Sequence, residues 1–308
     1  MPAPSTAGSP QRATTRSACY PAVGLTLVLA LPTVLLSVAI ILTLGAWAGI
    51  WLAITAAVVW VFFGIILFDM AWFTPSRERF AKTFKFRRPI PPEDERLAAA
   101  WAKVTSAPGL DGWPYSLWVE QSDEPNAYAV PSRIVAVTSS ALAGLKPRHL
   151  EAVLAHELGH HINVDPRVRL LDTWLALPGR VLWALCRRAG RIAGLFGPLA
   201  LYVRLVVAVA LLPVVVVVLT PVVGLAASLV IVALLVVEPL TRSAQQRRDE
   251  FAADRVSVDL GYGRALAAAL RRWDERPLPP LIALRVSLYG THPPLAARIR
   301  KIKLRLRE

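Results

Sequence analysis

Two histidines and a glutamate in the run His156-Glu157-Leu158-Gly159-His160 have the types and spacing of a metal-dependent hydrolase. Residues four apart lie on one face of a helix, so both imidazoles can reach a single tetrahedral Zn²⁺. Glu157 then stands beside them, close enough to take a proton from an activated water. The neighbouring His161 is about 100° round the helix and reads as a structural histidine, and His149, two turns away, reads the same way.

A catalytic zinc usually has three protein ligands and an open position for water. The acidic candidates for the third are few. Glu238 closes an apolar run beside Pro239, where a carboxylate at the headgroup level is ordinary. Glu250 opens the run Glu250-Phe251-Ala252-Ala253-Asp254, whose small residues permit another helix to approach closely. Asp254 falls on the same face as Glu250 and can hydrogen-bond a ligand imidazole, fixing its tautomer. Spacing alone does not separate Glu250 from a solvated helix charge.

The elements that must carry these residues are legible in pattern. From Pro147 onward Leu150, Val153, Leu154 and Leu158 recur at threes and fours, which predicts a helix through the His156 motif. Upstream, a helix is expected over Asp94 to Val104, then turns at Pro108-Gly109 and Asp111-Gly112. Short strands follow at Ser116 to Glu120, Ala127 to Val130 and Ile134 to Thr138. Pro131 cannot donate to a central ladder, which puts the middle strand at a sheet edge.

Of the 308 residues 55% are apolar and only 18% charged, an excess that one packed core does not absorb. The formal charge of +14 suits nucleic acid or anionic lipid, and the apolar excess favours lipid. Two cysteines exclude a disulfide-stapled scaffold. From Ala22 to Phe68 no residue is charged, and Gly45 with Ala46 and Ala48 offers the turn of a two-span hairpin. That length, with a second apolar stretch following at once, argues against the alternative, a cleaved signal peptide at Ala46-Trp47-Ala48. A second charge-free run, Leu205 to Val237, splits at Thr220-Pro221 into two short spans or a re-entrant hairpin. Between the runs, Val168 to Ile192 alternates tryptophan and leucine with arginine and reads as a lipid-facing interfacial helix interrupted at Pro178-Gly179. Basic residues flank the inner ends of all these segments and are absent from both outer turns, so both termini and the metal motif are expected in the cytoplasm. The expected division is a disordered tail at 1–20, a transmembrane hairpin at 21–73, a cytoplasmic part with the metal helix and interfacial helix at 74–198, a second transmembrane or re-entrant hairpin at 199–240, and a cytoplasmic part at 241–308.

Together these motifs resemble the HtpX-type and CAAX-prenyl-protease-like integral-membrane zinc metallopeptidases, from about Asp94 to Ile299. The helix His156-Glu157-Leu158-Gly159-His160 with Asn163 and Asp165 matches the family's longer pattern. The family's Glu-x-x-Ala-Asp helix falls on Glu250 and Asp254, which implies that Glu250 is the third ligand. Asn126-Ala127-Tyr128-Ala129 looks like its substrate-holding edge strand, and Thr291-His292-Pro293-Pro294 with Arg298-Ile299 like its C-terminal signature. Where the family follows its edge strand with a small residue and glycine, this chain has Val130-Pro131. The resemblance implies an α+β membrane protein with two transmembrane hairpins and a mainly helical zincin-like domain carrying a small sheet. It implies one Zn²⁺ held by His156, His160 and Glu250, with Glu157 as general base and His292 as oxyanion partner. It also implies substrate binding at Asn126, Ala127, Tyr128 and Ala129. The expected activity is endopeptidase cleavage of membrane or membrane-associated polypeptides, in protein quality control, with the bilayer and polypeptides as partners and no nucleic acid. The alternative is a noncatalytic zinc-binding scaffold.

Overall fold

The computed structural model describes residues 19–46, 48–70, 74–106, 115–130, 133–163, 166–192, 199–272 and 292–308. Nearly all of the expected tail, the turns at 108–112, Pro131, Asp165 and Thr291 lie outside them.

The first charge-free run folds as α1 (Cys19–Ala46) and α2 (Ile50–Met70). Gly49, at φ 121°, lies in the turn, where a side chain would be strained. A Cβ on Gly45 would stand 2.7 Å from the Cα of Ala53, so the two helices meet backbone to backbone. Small residues are the usual contact where lipid removes the hydrophobic drive for helix pairing.

In the second run the expected break at Thr220-Pro221 does not occur. α9 (Ala200–Val223) continues through Pro213 and Pro221, and the chain turns at Gly224, φ 81°, into α10 (Leu225–Asp259). Pro221 sits in the last turn, where it forfeits one backbone bond, while only a glycine readily takes the positive φ. Leu36 and Ala39 of α1, Leu219 of α9 and Ile231 of α10 pack as one apolar cluster. α10 does not end with its apolar half. Its 35 residues run about 52 Å through Pro239 to Asp259, so the 240/241 boundary is a change of surroundings along one helix. Among the described residues three segments are long and apolar enough to cross a membrane: Gly24–Ala46, Ile50–Phe68 and Leu225–Asp259.

The arginine-rich stretch between the runs forms two helices, α7 (Pro166–Leu175) and α8 (Leu177–Ile192), reached after α3 (Thr74–Thr83), α4 (Pro91–Thr105), α5 (Ser139–Gly144) and α6 (Pro147–Asn163). The interruption falls at Ala176, not at Pro178-Gly179. Pro178 occupies the first turn of α8, where a missing N–H costs nothing. Gly179 instead lets α8 touch α1: a Cβ there would meet Thr33 Cγ2 at 2.9 Å. Trp174 of α7 stacks on Trp60 of α2 at 4.0 Å and donates to its carbonyl. Both helices thus lie against the membrane helices.

Outside this bundle a four-stranded sheet has the order β1-β2-β4-β3. β2 (Ser116–Glu120), β3 (Ala127–Val130) and β4 (Ile134–Thr138) have the expected bounds, and β1 (Phe86–Arg87) is an addition too short for pattern reading. β3 pairs antiparallel to β4 and is an edge strand. Val119, Val135 and Val137 of the sheet form one core with Leu97 of α4 and Leu150, Leu154 and Leu158 of α6. Leu266 and Leu270 of α11 (Gly263–Arg272) and Ile302 of α12 (Leu295–Arg305) complete it. α6 runs through the middle of that core, which is why its motif is buried.

Candidate metal centre

α6 and α10 cross in direct backbone contact. A Cβ on Gly159 would lie 2.8 Å from Ala253 Cα and 2.9 Å from its carbonyl oxygen, a distance only glycine permits. Ser257 Oγ donates to the Ala152 carbonyl at 3.1 Å and extends the contact along both helices. The crossing brings the residues just before and after Gly159 on one helix against those just before and after Ala253 on the other. They are His156 and His160 against Glu250 and Asp254.

The ligand atoms of His156, His160 and Glu250 lie within 4.8 Å of one another, the one such cluster among the described residues. His156 Nε2 is 3.5 Å from Glu250 Oε2, and His160 Nε2 is 3.4 Å from Glu250 Oε1. Ligands on a tetrahedral zinc at 2.0–2.1 Å stand about 3.3 Å apart, so the spacing fits the ion. Glu250 Oε2 is buried without a well-formed hydrogen bond, facing His156 Nε2 and the Arg298 guanidinium, so it keeps a lone pair that a metal could take. Glu238, the other acidic candidate, is tied to Thr33 and Arg242 instead.

Asp254 holds His156 in the tautomer that ligation requires. Its Oδ1 stands 3.0 Å from His156 Nδ1, so Nδ1–H donates to the carboxylate and Nε2 is left to face Glu250. Burial disfavours the charged ring, but the hydrogen bonds to Asp254 and Glu250 outweigh it and hold the His156 pKa up at about 9, so a zinc ion would displace the Nε2 proton on binding. Glu157 is buried beside His156 on α6.

The model of peptidase family M48 matches residues 91–306. The chain belongs to peptidase family M48. A protease HtpX homologue of Pyrobaculum aerophilum is 46% identical over 65 residues, 20% of this chain and 19% of the relative. Another, of Pyrobaculum islandicum, is 51% identical over 51 residues, 15% of each. The chain thus aligns with a fifth or less of these relatives' length. The crystal structure of S. mikatae Ste24p shares 17% identity at a TM-score of 0.41, over 82% of this chain and 57% of that one.

Two residues of the expected C-terminal signature, His292 and Arg298, stand at this cluster. His292 Nδ1 lies 3.1 Å from Glu250 Oε1 with most of its ring open to solvent, at the mouth of the site. That contact raises its pKa, because the carboxylate stabilises the charged ring. Arg298 was not among the expected site residues, yet it is the group that ties the site together. Its Nη2 and Nε bond Asp254 at 2.6 and 2.9 Å, and its Nη1 stands 3.1 Å from Glu250 Oε2. Burial works against the guanidinium charge, but Asp254, Glu250 and Glu157 together favour it, so the Arg298 pKa is raised. A signal for it exists in the sequence. Leu295, Ile299 and Ile302 mark the apolar stripe of α12, and Arg298 is the cation standing on that stripe.

The substrate-strand candidates sit at the sheet edge beside α6. Asn126 N bonds Thr138 Oγ1 and Asn126 O accepts from Thr138 N, so Asn126 faces β4. By antiparallel alternation, Ala127 and Ala129 then turn their N–H and C=O groups outward and Tyr128 turns inward. Asn126 Oδ1 currently accepts from the Ala127 N–H at 2.9 Å. His161 stays structural: its Nε2 is 3.2 Å from the Ile134 carbonyl and its ring meets Tyr115 edge-on.

Proposed function

We propose that this protein is a membrane-embedded zinc-dependent endopeptidase that hydrolyses polypeptides, membrane proteins among them, at the cytoplasmic face. The observation that carries the proposal is the meeting of His156, His160 and Glu250 at tetrahedral spacing beside the buried Glu157. Zn²⁺ held by those three would polarise the scissile carbonyl and acidify a water. Glu157 takes the water's proton and returns it to the leaving amine. His292, at the mouth, donates a hydrogen bond to the oxyanion. The substrate adds as a strand to the outward groups of Ala127 and Ala129, while Asn126 releases the Ala127 N–H to it and Tyr128, paired to β4, holds that edge in place. Main-chain pairing of this kind gives affinity with little sequence preference, which suits removal of misfolded chains.

The cytoplasmic placement rests on the basic residues at the inner ends of the apolar runs. The test uses the full chain in detergent micelles, with zinc content and cleavage of an unfolded test protein as readouts. Wild type is expected to hold about one zinc per chain and to lose activity reversibly to a chelator. Glu250→Ala should lose the zinc, and Glu157→Gln should keep zinc and fold but not cleave. Unchanged cleavage by Glu157→Gln would overturn the enzyme reading in favour of a zinc-binding scaffold.

A further inference from the structure

A second cluster of charges is buried on the membrane side of the metal centre, and the mechanism does not use it. Asp172 of α7 and Glu238 of α10 are 6% and 7% exposed. Arg242 of α10 grips Asp172 with both ends of its fork, Nη1 to Oδ2 and Nη2 to Oδ1 at 2.9 Å each. Its Nε bonds Glu238 Oε1 at 2.6 Å. Arg180 of α8 adds a 2.6 Å bond to Asp172 Oδ2, and Thr33 of α1 donates to Glu238 Oε2. Two cations and two anions cancel, and four helices are joined at one point.

That point sits where α10 is weakest. Pro239 lies between Glu238 and Arg242 and lacks the N–H that would bond the carbonyl of residue 235, the usual origin of a helix kink. On one side of it is the apolar half of α10. On the other, eight residues past Arg242 and about 12 Å along the helix, is Glu250. The partner of the fork, Asp172, belongs to α7, which starts at Pro166, three residues beyond the end of α6, the helix of His156 and His160. The Glu238–Arg242 pair therefore spans the proline, and the Arg242–Asp172 fork ties the ligand-bearing half of α10 to the chain that leaves the histidine helix.

We infer that Arg242 is a positioning residue: with Asp172 and Glu238 it holds α10 straight across Pro239 and so sets where the Glu250 carboxylate stands between His156 and His160. The inference rests on the metal reading above. Stability alone is a poor reason for such a cluster, since apolar residues of similar volume often replace buried ion pairs without loss. What apolar packing lacks is the two-point register of the fork.

The experiment compares wild type, Arg242→Lys, and Asp172→Leu combined with Arg242→Met, as full chains in micelles. Readouts are zinc affinity by chelator competition, the visible absorption of the Co²⁺-loaded protein, the thermal midpoint, and kcat and KM. Arg242→Lys keeps the charge and loses the fork. It should bind zinc about 10-fold more weakly, near the lower end of effects seen for residues that orient metal ligands. Its Co²⁺ bands should shift and kcat should fall with KM unchanged. The double variant should show the same changes, with a lowered thermal midpoint because Glu238 is left buried without its cation. Wild-type zinc affinity and Co²⁺ bands in both variants, with only the thermal midpoint altered, would overturn the inference and leave the metal reading standing. A wild-type chain that takes up neither ion would overturn the metal reading, and this inference with it.

Discussion

Gly159 and Ala253 occupy the same place: the hydrogen of one residue stands where any larger group would collide with the backbone of the other, at 2.8 Å from Cβ to Cα. All three metal-ligand candidates and Asp254 lie within four residues of this contact. Substitution Gly159→Ala should therefore push α6 from α10, at a cost of about 1–3 kcal/mol for an overpacked contact. Thermal unfolding and zinc content of the purified chain check this, with both expected to fall together. A zinc-replete Gly159→Ala protein would show that the helices can separate without moving the ligands.

Asp254 and Arg298 are expected to act on the metal without touching it. Asp254→Ala removes the acceptor that fixes the His156 tautomer and should weaken zinc 10–100-fold, by analogy with other carboxylates behind ligand histidines. Arg298→Lys cannot reproduce the paired bonds to Asp254 and should rescue little of the loss caused by Arg298→Ala. Chelator-competition titrations measure both, and full rescue by lysine would reduce Arg298 to a point charge.

Acid should loosen the peptidase part through Glu151. This carboxylate on α6 is buried and bonds Lys103 and Arg148 at 2.9 Å each. Burial works against its charge, but the two cations outweigh it, so its pKa lies below the ordinary carboxylate value. A depressed acid stabilises the fold above its unfolded pKa of about 4.3, and the contribution disappears as pH falls through the lower folded value. Because the cationic ends are solvated, Glu151→Gln should cost only about 1 kcal/mol at neutral pH. The gap between the wild-type and variant melting midpoints should narrow as pH falls below the unfolded value of about 4.3, and a gap that widens on acidification would refute the assignment.

Placement in the membrane is tested by labelling. His160 and Glu250, 90 positions apart in sequence (250 minus 160), can meet only if the intervening chain returns to the side it left, because one crossing would separate them by about 30 Å of hydrocarbon. Single cysteines near Lys82, Asn126 and Arg271 should react with an impermeant reagent only after the membrane is opened, and one at Ala46 should react in intact cells. Reaction near Arg271 in intact cells, with none near Asn126, would contradict the topology and the three-ligand site together.

What local pattern determines was legible in the chain itself. The four-residue spacing of His156 and His160 puts them on one face of a helix whatever that helix packs against. The alternation and β-branching of Ser116–Glu120, Ala127–Val130 and Ile134–Thr138 mark strands at the bounds observed. Length and absence of charge mark the apolar helices, because a bilayer imposes the same requirement on every segment. What depends on which surfaces meet was not legible. Glu238 and Glu250 are both acidic residues on one helix, and only the crossing at Gly159 and Ala253 sends Glu250 to the histidines and leaves Glu238 to Thr33 and Arg242. The end of α9 at Gly224 depended on a backbone angle, and the touch of Gly179 on Thr33 on a neighbour remote in sequence. The α12 stripe marks Arg298 as the cation on the buried face, but only the docking of that helix decides that Asp254 and Glu250 are the carboxylates it meets. Period and composition act within a few turns of chain, whereas the choice among chemically equal candidates is made by contacts between segments far apart along it.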